Sequence, residues 1–158
     1  MTCATMRQSE NAPLPVADYA HAVEVPMGNG NSLLYLCGMG PRERSTNAVP
    51  GVIRDVDGRV ESYDFEAQAR SVFRNIETVI KDSGGRGMRD VVDVQVFLVD
   101  IERDFPIFNQ LWREYMVFDD GWMPARTTVQ VSALPLKEIF VELKCVAVIQ
   151  RVKREDAV

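Results

Sequence analysis

A helix with one apolar stripe is the feature that most constrains how this chain folds. Between positions 65 and 80 the apolar residues recur at steps of three and four, which places them on one side of an α-helix. Asp64 can cap the start of this helix, and the glycine pair at 84–85 can end it. Packing stabilises such a helix more than propensity does, so the stripe requires an apolar surface elsewhere in the chain.

Four short strands are predicted before this helix. The segments 20–26 and 32–38 form one hairpin, closed by the Gly-Asn-Gly-Asn turn at 28–31. A smaller, polar hairpin is predicted at 51–61, with the Asp-Gly pair 57–58 at its tip. We interpret this second hairpin as an excursion from the main sheet.

The chain after the helix alternates strand and helix. Residues 91–99 are rich in valine and predict a strand that is covered on one face. A second helix is predicted to begin near Asp104, with Pro106 in its first turn. Two further strands are predicted at 126–131 and 139–150.

This order of elements predicts an α+β fold, in which a mixed sheet carries two helices on one face. A length of 158 residues fits one domain, which we place at 16–150. Residues 1–15 lack the apolar core of a signal peptide and predict a flexible arm, and 151–158 predict a charged tail. The second face of the sheet retains apolar side chains, so we expect the chain to associate with further copies of itself.

The composition argues against several classes of protein. A net charge of −5 disfavours nucleic-acid binding, which needs a basic face. No apolar run approaches the roughly 20 residues that span a bilayer. Three widely spaced cysteines predict a cytoplasmic protein without disulfides, and a single histidine gives no indication of a metal site. The sequence also contains no phosphate-binding loop, so we expect no organic cofactor.

One arginine, Arg126, stands at the start of a predicted strand, where the backbone can fix the direction of its side chain. A planar guanidinium pairs with a carboxylate through two parallel hydrogen bonds, so this position suits a substrate carboxylate. The strand that follows contains a single acid, Glu142. The alternative is an ordinary interstrand or surface ion pair, which has no catalytic meaning.

Several segments together resemble the RidA/YjgF/UK114 family over residues 12–149. The most specific are Pro124-Ala125-Arg126 and Leu134-Pro135. The other matching positions are Ala12, Pro13, Pro15, Tyr19 to Val23, Leu34 to Gly38, Gln68, Asn75, Ile76, Asp90 to Val92, Val96 to Asp100, Phe105, Phe108, Asn109, Tyr115, Val141 and Glu142.

The resemblance implies a homotrimer of chorismate-mutase-like subunits with clefts at the subunit interfaces. It also implies hydrolysis of small carboxylate enamines and imines to ketones and ammonia without a cofactor. Arg126 matches the arginine that holds the substrate carboxylate, and Glu142 matches the acid associated with the attacking water. The positions that match cleft-lining residues are Tyr19, Gly38, Asn109 and Thr128.

The chain departs from the family pattern at three places. Cys37 stands where many members have serine, and Thr128 stands where members that act on 2-aminoacrylate often have cysteine. One extra residue lies between Pro135 and Glu142. Cys37 is expected to be a small buried residue rather than a nucleophile, and a lone strand histidine such as His21 is expected to be structural.

Segments 40–47 and 64–70, with the insertion 51–63, are similar to the bacterial 2-aminomuconate deaminases. This second resemblance implies conversion of 2-aminomuconate to 2-oxo-3-hexenedioate (4-oxalocrotonate) and ammonia. A dicarboxylate would be held better by a second cation, and Arg42 and Arg44 are the candidates; alternatively, both are solvated loop charges.

Two other functions stay open. The first is a general deaminase of small enamines such as 2-aminoacrylate. The second is a trimeric ligand-binding or regulatory protein that uses the same cleft without turnover, although Glu142 beside Arg126 favours catalysis. Endonuclease activity is disfavoured by the acidic net charge.

Overall fold

The structure is a computed structural model that describes residues 3–150. It contains eight strands and two α-helices, and a short 3-10 turn precedes the sixth strand. The strands are β1 (Thr5–Arg7), β2 (Ala22–Gly28), β3 (Asn31–Leu36), β4 (Val52–Arg54), β5 (Val60–Tyr63), β6 (Val91–Leu98), β7 (Ala125–Gln130) and β8 (Val141–Gln150), and the helices are α1 (Phe65–Asp82) and α2 (Ile101–Met116).

Six strands form one mixed sheet in the order β1-β2-β3-β8-β6-β7, while β4 and β5 form a separate hairpin. Asn29 and Gly30 adopt positive φ values of 53° and 78° in the predicted turn between β2 and β3. All neighbouring pairs are antiparallel except β6 and β7, which α2 connects in parallel. The predicted α+β fold is therefore confirmed, including both hairpins.

Both helices pack on one face of this sheet. Asp64 caps α1 by accepting a hydrogen bond from the Ala67 N–H at 3.0 Å, as predicted. The apolar stripe of α1 is buried against β8, in which every second residue is buried. The buried residues of β8 are Val141, Leu143, Cys145, Ala147 and Ile149.

The second helix begins three residues earlier than predicted. Asp100 caps α2 by accepting from the Arg103 N–H at 3.1 Å, so Pro106 lies inside the helix rather than in its first turn. Asp104, expected near the helix start, is buried and accepts two hydrogen bonds from Arg103. The helix start predicted near Asp104 is therefore wrong, because the side chain that caps α2 belongs to Asp100.

The prediction of a flexible arm at 1–15 is wrong for the part that the structure describes. Thr5–Arg7 forms the edge strand β1, and the Arg7 Nε donates to the Glu24 carboxylate at 2.7 Å. Ala12 is fully buried. A three-residue strand has too little periodicity to be recognised in a sequence. The charged tail predicted at 151–158 lies outside the described residues.

The sheet face opposite the helices is partly apolar. Met6, Val23, Tyr35 and Val146 are register neighbours across four strands and form what we call the open sheet face. Tyr35 is 44% exposed there, and Met6 and Val23 are also exposed. Within residues 3–150, no helix is long and apolar enough to cross a membrane.

Candidate functional site

One cavity opens where the N-terminal segment, the loop after β3 and the start of β8 meet. It is lined by four of the predicted site residues, Tyr19, Gly38, Arg42 and Glu142. Its other walls are largely apolar and include Pro13, Pro15, Val16, Met39, Leu136 and Ile139. We call this space the Glu142 cavity.

Glu142 lies directly against Gly38. A Cβ atom at position 38 would come within 2.9 Å of the Glu142 carboxyl carbon, so the carboxylate occupies space that only glycine leaves open. Burial raises the pKa of Glu142 above its ordinary range, and no basic side chain within residues 3–150 forms an ion pair with it. A carboxylate in this setting is a stronger base than one in water.

His21 and Cys37 also line the Glu142 cavity, but their surroundings fit structural rather than catalytic roles. The Nδ1 of His21 accepts from the Ser9 N–H at 3.1 Å, and its Nε2 lies 2.8 Å from the Pro13 carbonyl, to which it donates. Both ring nitrogens are therefore occupied. Burial, together with the charge of Glu142, raises the pKa of Cys37 to about 11, which keeps it a thiol at neutral pH.

Arg126 occupies a different place, on β7 beside α2. Its Nη1 donates to the Asn109 Oδ1 at 2.9 Å, and its guanidinium lies over the rings of Trp112, at 4.7 Å, and Phe105, at 5.5 Å. Burial lowers the pKa of Arg126, although a guanidinium stays charged in proteins. No carboxylate in the described chain pairs with it, and Asn109 uses only one of its five N–H donors.

Thr128 lies two residues after Arg126 and on the same face of β7. Its hydroxyl oxygen is buried and has no hydrogen-bond partner in the part of the chain that the structure describes. Buried hydroxyls are nearly always hydrogen-bonded, so Thr128 is an exception beside Arg126.

The strand register separates Arg126 from Glu142. Arg126 pairs with Val94 of β6 and Glu142 pairs with Phe97, three residues further along the same strand. An odd separation puts them on opposite faces of the sheet. Arg126 therefore points to the helix side and Glu142 to the other side, and the two cannot meet one small ligand within a single chain.

Arg42 and Arg44, the two candidates for holding a second carboxylate, lie in different places. Arg42 lines the Glu142 cavity, where it donates to the Leu14 carbonyl and to the Asn47 Oδ1. Arg44 is exposed and donates to the Glu10 carbonyl at 2.9 Å, outside this cavity. The sequence analysis did not predict that Trp112 stacks on Arg126. The signal was its position one helical turn after Asn109, which places both side chains on the same side of α2.

No group of histidine, cysteine, aspartate or glutamate side chains within residues 3–150 could hold a metal ion. The candidate site thus has two parts on opposite faces of the sheet. One is the Glu142 cavity, and the other is the patch formed by Arg126 and the aromatic rings beside it. Residues 9–149 match the family described as endoribonuclease L-PSP, and the chain belongs to that family.

Relatives with names and structures agree with this assignment. The chain is 34% identical over 142 residues to a RutC family protein of Synechocystis, covering 90% of this chain and 94% of that protein. It is 27% identical over 140 residues to a 2-iminobutanoate/2-iminopropanoate deaminase of Salmonella typhimurium, covering 89% and 94%. A crystal structure of RidA from Psychrobacter matches with a TM-score of 0.70 at 30% identity, covering 92% of this chain and 99% of that chain. The resemblance to the RidA/YjgF/UK114 family is confirmed.

Proposed function

We propose that this protein is a cofactor-independent hydrolytic deaminase of carboxylate enamines and imines. The observation that supports it best is that two partly buried charged groups, the cation Arg126 and the acid Glu142, form no ion pair within residues 3–150. A carboxylate-binding protein without turnover would need the arginine but not the acid. The Salmonella relative, whose name describes deamination of two 2-imino acids, supports the same class of reaction.

The complete site is proposed to lie between two copies of the chain. Arg126 and Glu142 face opposite sides of the sheet, and the Thr128 hydroxyl is orphaned beside Arg126. A homotrimer with three interface clefts would bring Arg126, Asn109 and Thr128 of one subunit to the Glu142 cavity of the next. Three free cysteines fit a reducing compartment such as the cytoplasm.

The mechanism follows from the two groups. Arg126 holds the substrate carboxylate and thereby places the protonated imine carbon near the Glu142 carboxylate. Glu142 takes a proton from water as the oxygen bonds to that carbon, which forms a carbinolamine. The amine nitrogen then takes up the proton that Glu142 holds, and the carbon–nitrogen bond breaks. As it breaks, the carbinolamine hydroxyl gives its proton to Glu142, so the ketone forms and ammonia leaves. The raised pKa of Glu142, caused by its burial, favours the first proton transfer.

The substrate is proposed to be 2-aminomuconate. This dicarboxylate would place its second carboxylate near Arg42, which lines the Glu142 cavity. Within residues 3–150, the hydrogen-bond partners of Arg42 are neutral. Tyr19 and Gly38 would line the same space. Arg44 is a weaker candidate for contact because it lies outside the cavity. The alternative is a smaller monocarboxylate such as 2-aminoacrylate, for which Arg42 would be dispensable.

The test is an assay of substrate loss and ammonia release with freshly generated 2-aminomuconate and, in parallel, 2-aminoacrylate. We expect faster turnover of 2-aminomuconate, with activity lost in Arg126→Ala and in Glu142→Gln. Loss of the Arg126 pair should cost roughly 2–4 kcal/mol, or about 30- to 1,000-fold in rate. The control Arg113→Ala removes an exposed cation from α2 and should leave turnover unchanged.

Each other outcome has a distinct meaning. Turnover of 2-aminoacrylate alone would replace the proposed substrate but keep the reaction. Turnover of neither compound, with binding of both, would make the protein a ligand-binding member of the family.

A further inference from the structure

Helix α1 contains a buried polar stripe beside its apolar one. Gln68, Ser71 and Asn75 lie at spacings of three and four residues and are 0%, 2% and 9% exposed. Burying three polar side chains is costly unless each is hydrogen-bonded. All three side chains are hydrogen-bonded. Each of their partners is a backbone group in a loop that lines the Glu142 cavity or adjoins its lining.

Gln68 holds the segment that leads into β8. Its Nε2 donates to the Glu138 carbonyl at 2.9 Å, and its Oε1 accepts from the Phe140 N–H at 3.0 Å. The side-chain amide of Gln68 thus bonds to one backbone N–H and one backbone carbonyl, two residues apart. A neighbouring β-strand would bond to a strand in a similar way. Glu142 follows Phe140 by two residues, so its position depends on where this segment is held.

Asn75 and Ser71 hold the opposite wall. The Asn75 Nδ2 donates to the carbonyls of Gly40 and Arg42 at 3.0 and 2.8 Å, and the Ser71 hydroxyl donates to the Pro41 carbonyl at 2.8 Å. Seven residues of α-helix rise about 10 Å. Because one rigid helix contains both anchors, it sets the spacing between the two walls.

We propose that Gln68 and Asn75 are positioning residues, through which α1 fixes the Glu142 carboxylate and the Arg42 wall in register across the cavity. This inference rests on the proposed function for its catalytic consequence. Neither residue touches the cavity itself, because both are absent from its lining. They act through the backbone of residues 138–140 and 40–42.

Loosening one anchor has a specific electrostatic consequence. Without Gln68 the Phe140 N–H and the Glu138 carbonyl lose their partners, and water must satisfy them. A more hydrated Glu142 carboxylate would lose part of the burial that raises its pKa. The pKa of Glu142 should then fall towards the ordinary value of a glutamate.

The experiment follows the Glu142 carboxyl directly by ¹³C NMR titration, with Glu142→Gln identifying its signal. Gln68→Met has a similar length but makes no hydrogen bond, and the expected result is a Glu142 titration at clearly lower pH. The matched control Val72→Ala truncates a fully buried residue of the same helix that makes no bond to either wall. It should lower the melting temperature without moving the Glu142 titration.

Activity gives the second readout. In Gln68→Met both hydrogen bonds to the 138–140 segment are lost, and we expect kcat to fall by at least about tenfold, with KM changed less. The acid limb of the pH–rate profile should move in the same direction as the NMR titration. Val72→Ala should show neither change.

The outcomes separate this inference from the proposed function. An unshifted Glu142 titration in Gln68→Met overturns the positioning role even if the wild-type protein is an active deaminase. A shifted titration in a protein that turns over neither substrate supports positioning while the proposed function fails. If Gln68→Met does not fold, amide exchange in the wild-type protein decides: a Phe140 amide as slow as those of α1 supports the anchor, and rapid exchange overturns it.

Discussion

At the scale of single residues, Trp112 shows how an apolar position acquires a second role. Its ring lies 4.7 Å from the Arg126 guanidinium, and the residue also belongs to the hydrophobic core, where it is buried. We predict that Trp112→Leu raises KM for a carboxylate substrate about two- to thirtyfold, since a partly desolvated cation–π contact is worth roughly 0.5–2 kcal/mol. Steady-state kinetics measure it. Trp122→Leu removes an exposed tryptophan without this contact and should leave KM unchanged.

Glu142 links function to stability through its raised pKa. The folded protein binds this proton more tightly than the unfolded chain does, so the contribution of Glu142 to stability is lost as pH rises through its folded-state pKa. We predict that Glu142→Gln melts at a higher temperature than the wild type. The difference should widen as pH rises from about 4 towards neutrality, as calorimetry can test.

Glu114 is a control for this measurement, because its pKa is shifted in the opposite direction. A hydrogen bond from Arg70 lowers the pKa of Glu114, so Glu114→Gln should lower the melting temperature relative to the wild type as pH rises. A difference for Glu142→Gln that shrinks with rising pH would contradict the burial of this acid.

Sequence reasoning selected Arg126 and Glu142 as candidates but did not predict their surroundings. Arg126 and Glu142 stood out because a strand start and a strand interior limit where a charged side chain can point. Their opposite faces depend on the register between β6, β7 and β8, which the sequence alone does not specify. The separation of Arg42 from Arg44 depends on tertiary hydrogen bonds to residues far away in the chain.

At the scale of elements, the N-cap of α1 gives a simple test of local stability. Asp64 accepts a hydrogen bond from the Ala67 N–H, and its backbone N–H bonds to the Gly51 carbonyl. We predict that Asp64→Ala lowers the free energy of unfolding by about 1 kcal/mol, as measured by urea denaturation. Asp64→Asn retains a capping oxygen and should lose much less. Equal losses in both variants would contradict the capping role.

Periodicity predicted the long elements but neither the strand β1 nor the start of α2. The stripe of α1 and the alternation of β8 extend over several turns or pleats, so their burial follows from the sequence. The strand β1 spans only three residues, and the start of α2 is set by the Asp100 cap, so neither produces an extended pattern in the sequence. The buried polar stripe of α1 was missed because a polar residue in a helix is ordinarily taken as solvent-facing.

At the scale of the whole molecule, the open sheet face and the divided site point to the same arrangement. The row Met6, Val23, Tyr35 and Val146 leaves apolar surface uncovered in a single chain. A second copy seated there would bury it and would place new side chains over the open side of Glu142. Self-association and catalysis are therefore expected to depend on each other, and sedimentation should show three subunits.

A complementation experiment tests the shared site directly. Arg126→Ala and Glu142→Gln are each expected to be inactive, because each lacks one member of every cleft. When the two variants are co-expressed in equal amounts, random assembly should pair an intact Arg126 with an intact Glu142 in about one quarter of the clefts. Activity should therefore return to about one quarter of the wild-type value. The Arg126→Ala/Glu142→Gln double variant, co-expressed with Arg126→Ala, can form no intact cleft and is the control. A mixture as inactive as its components would show that both groups act within one chain, which the register of the sheet opposes.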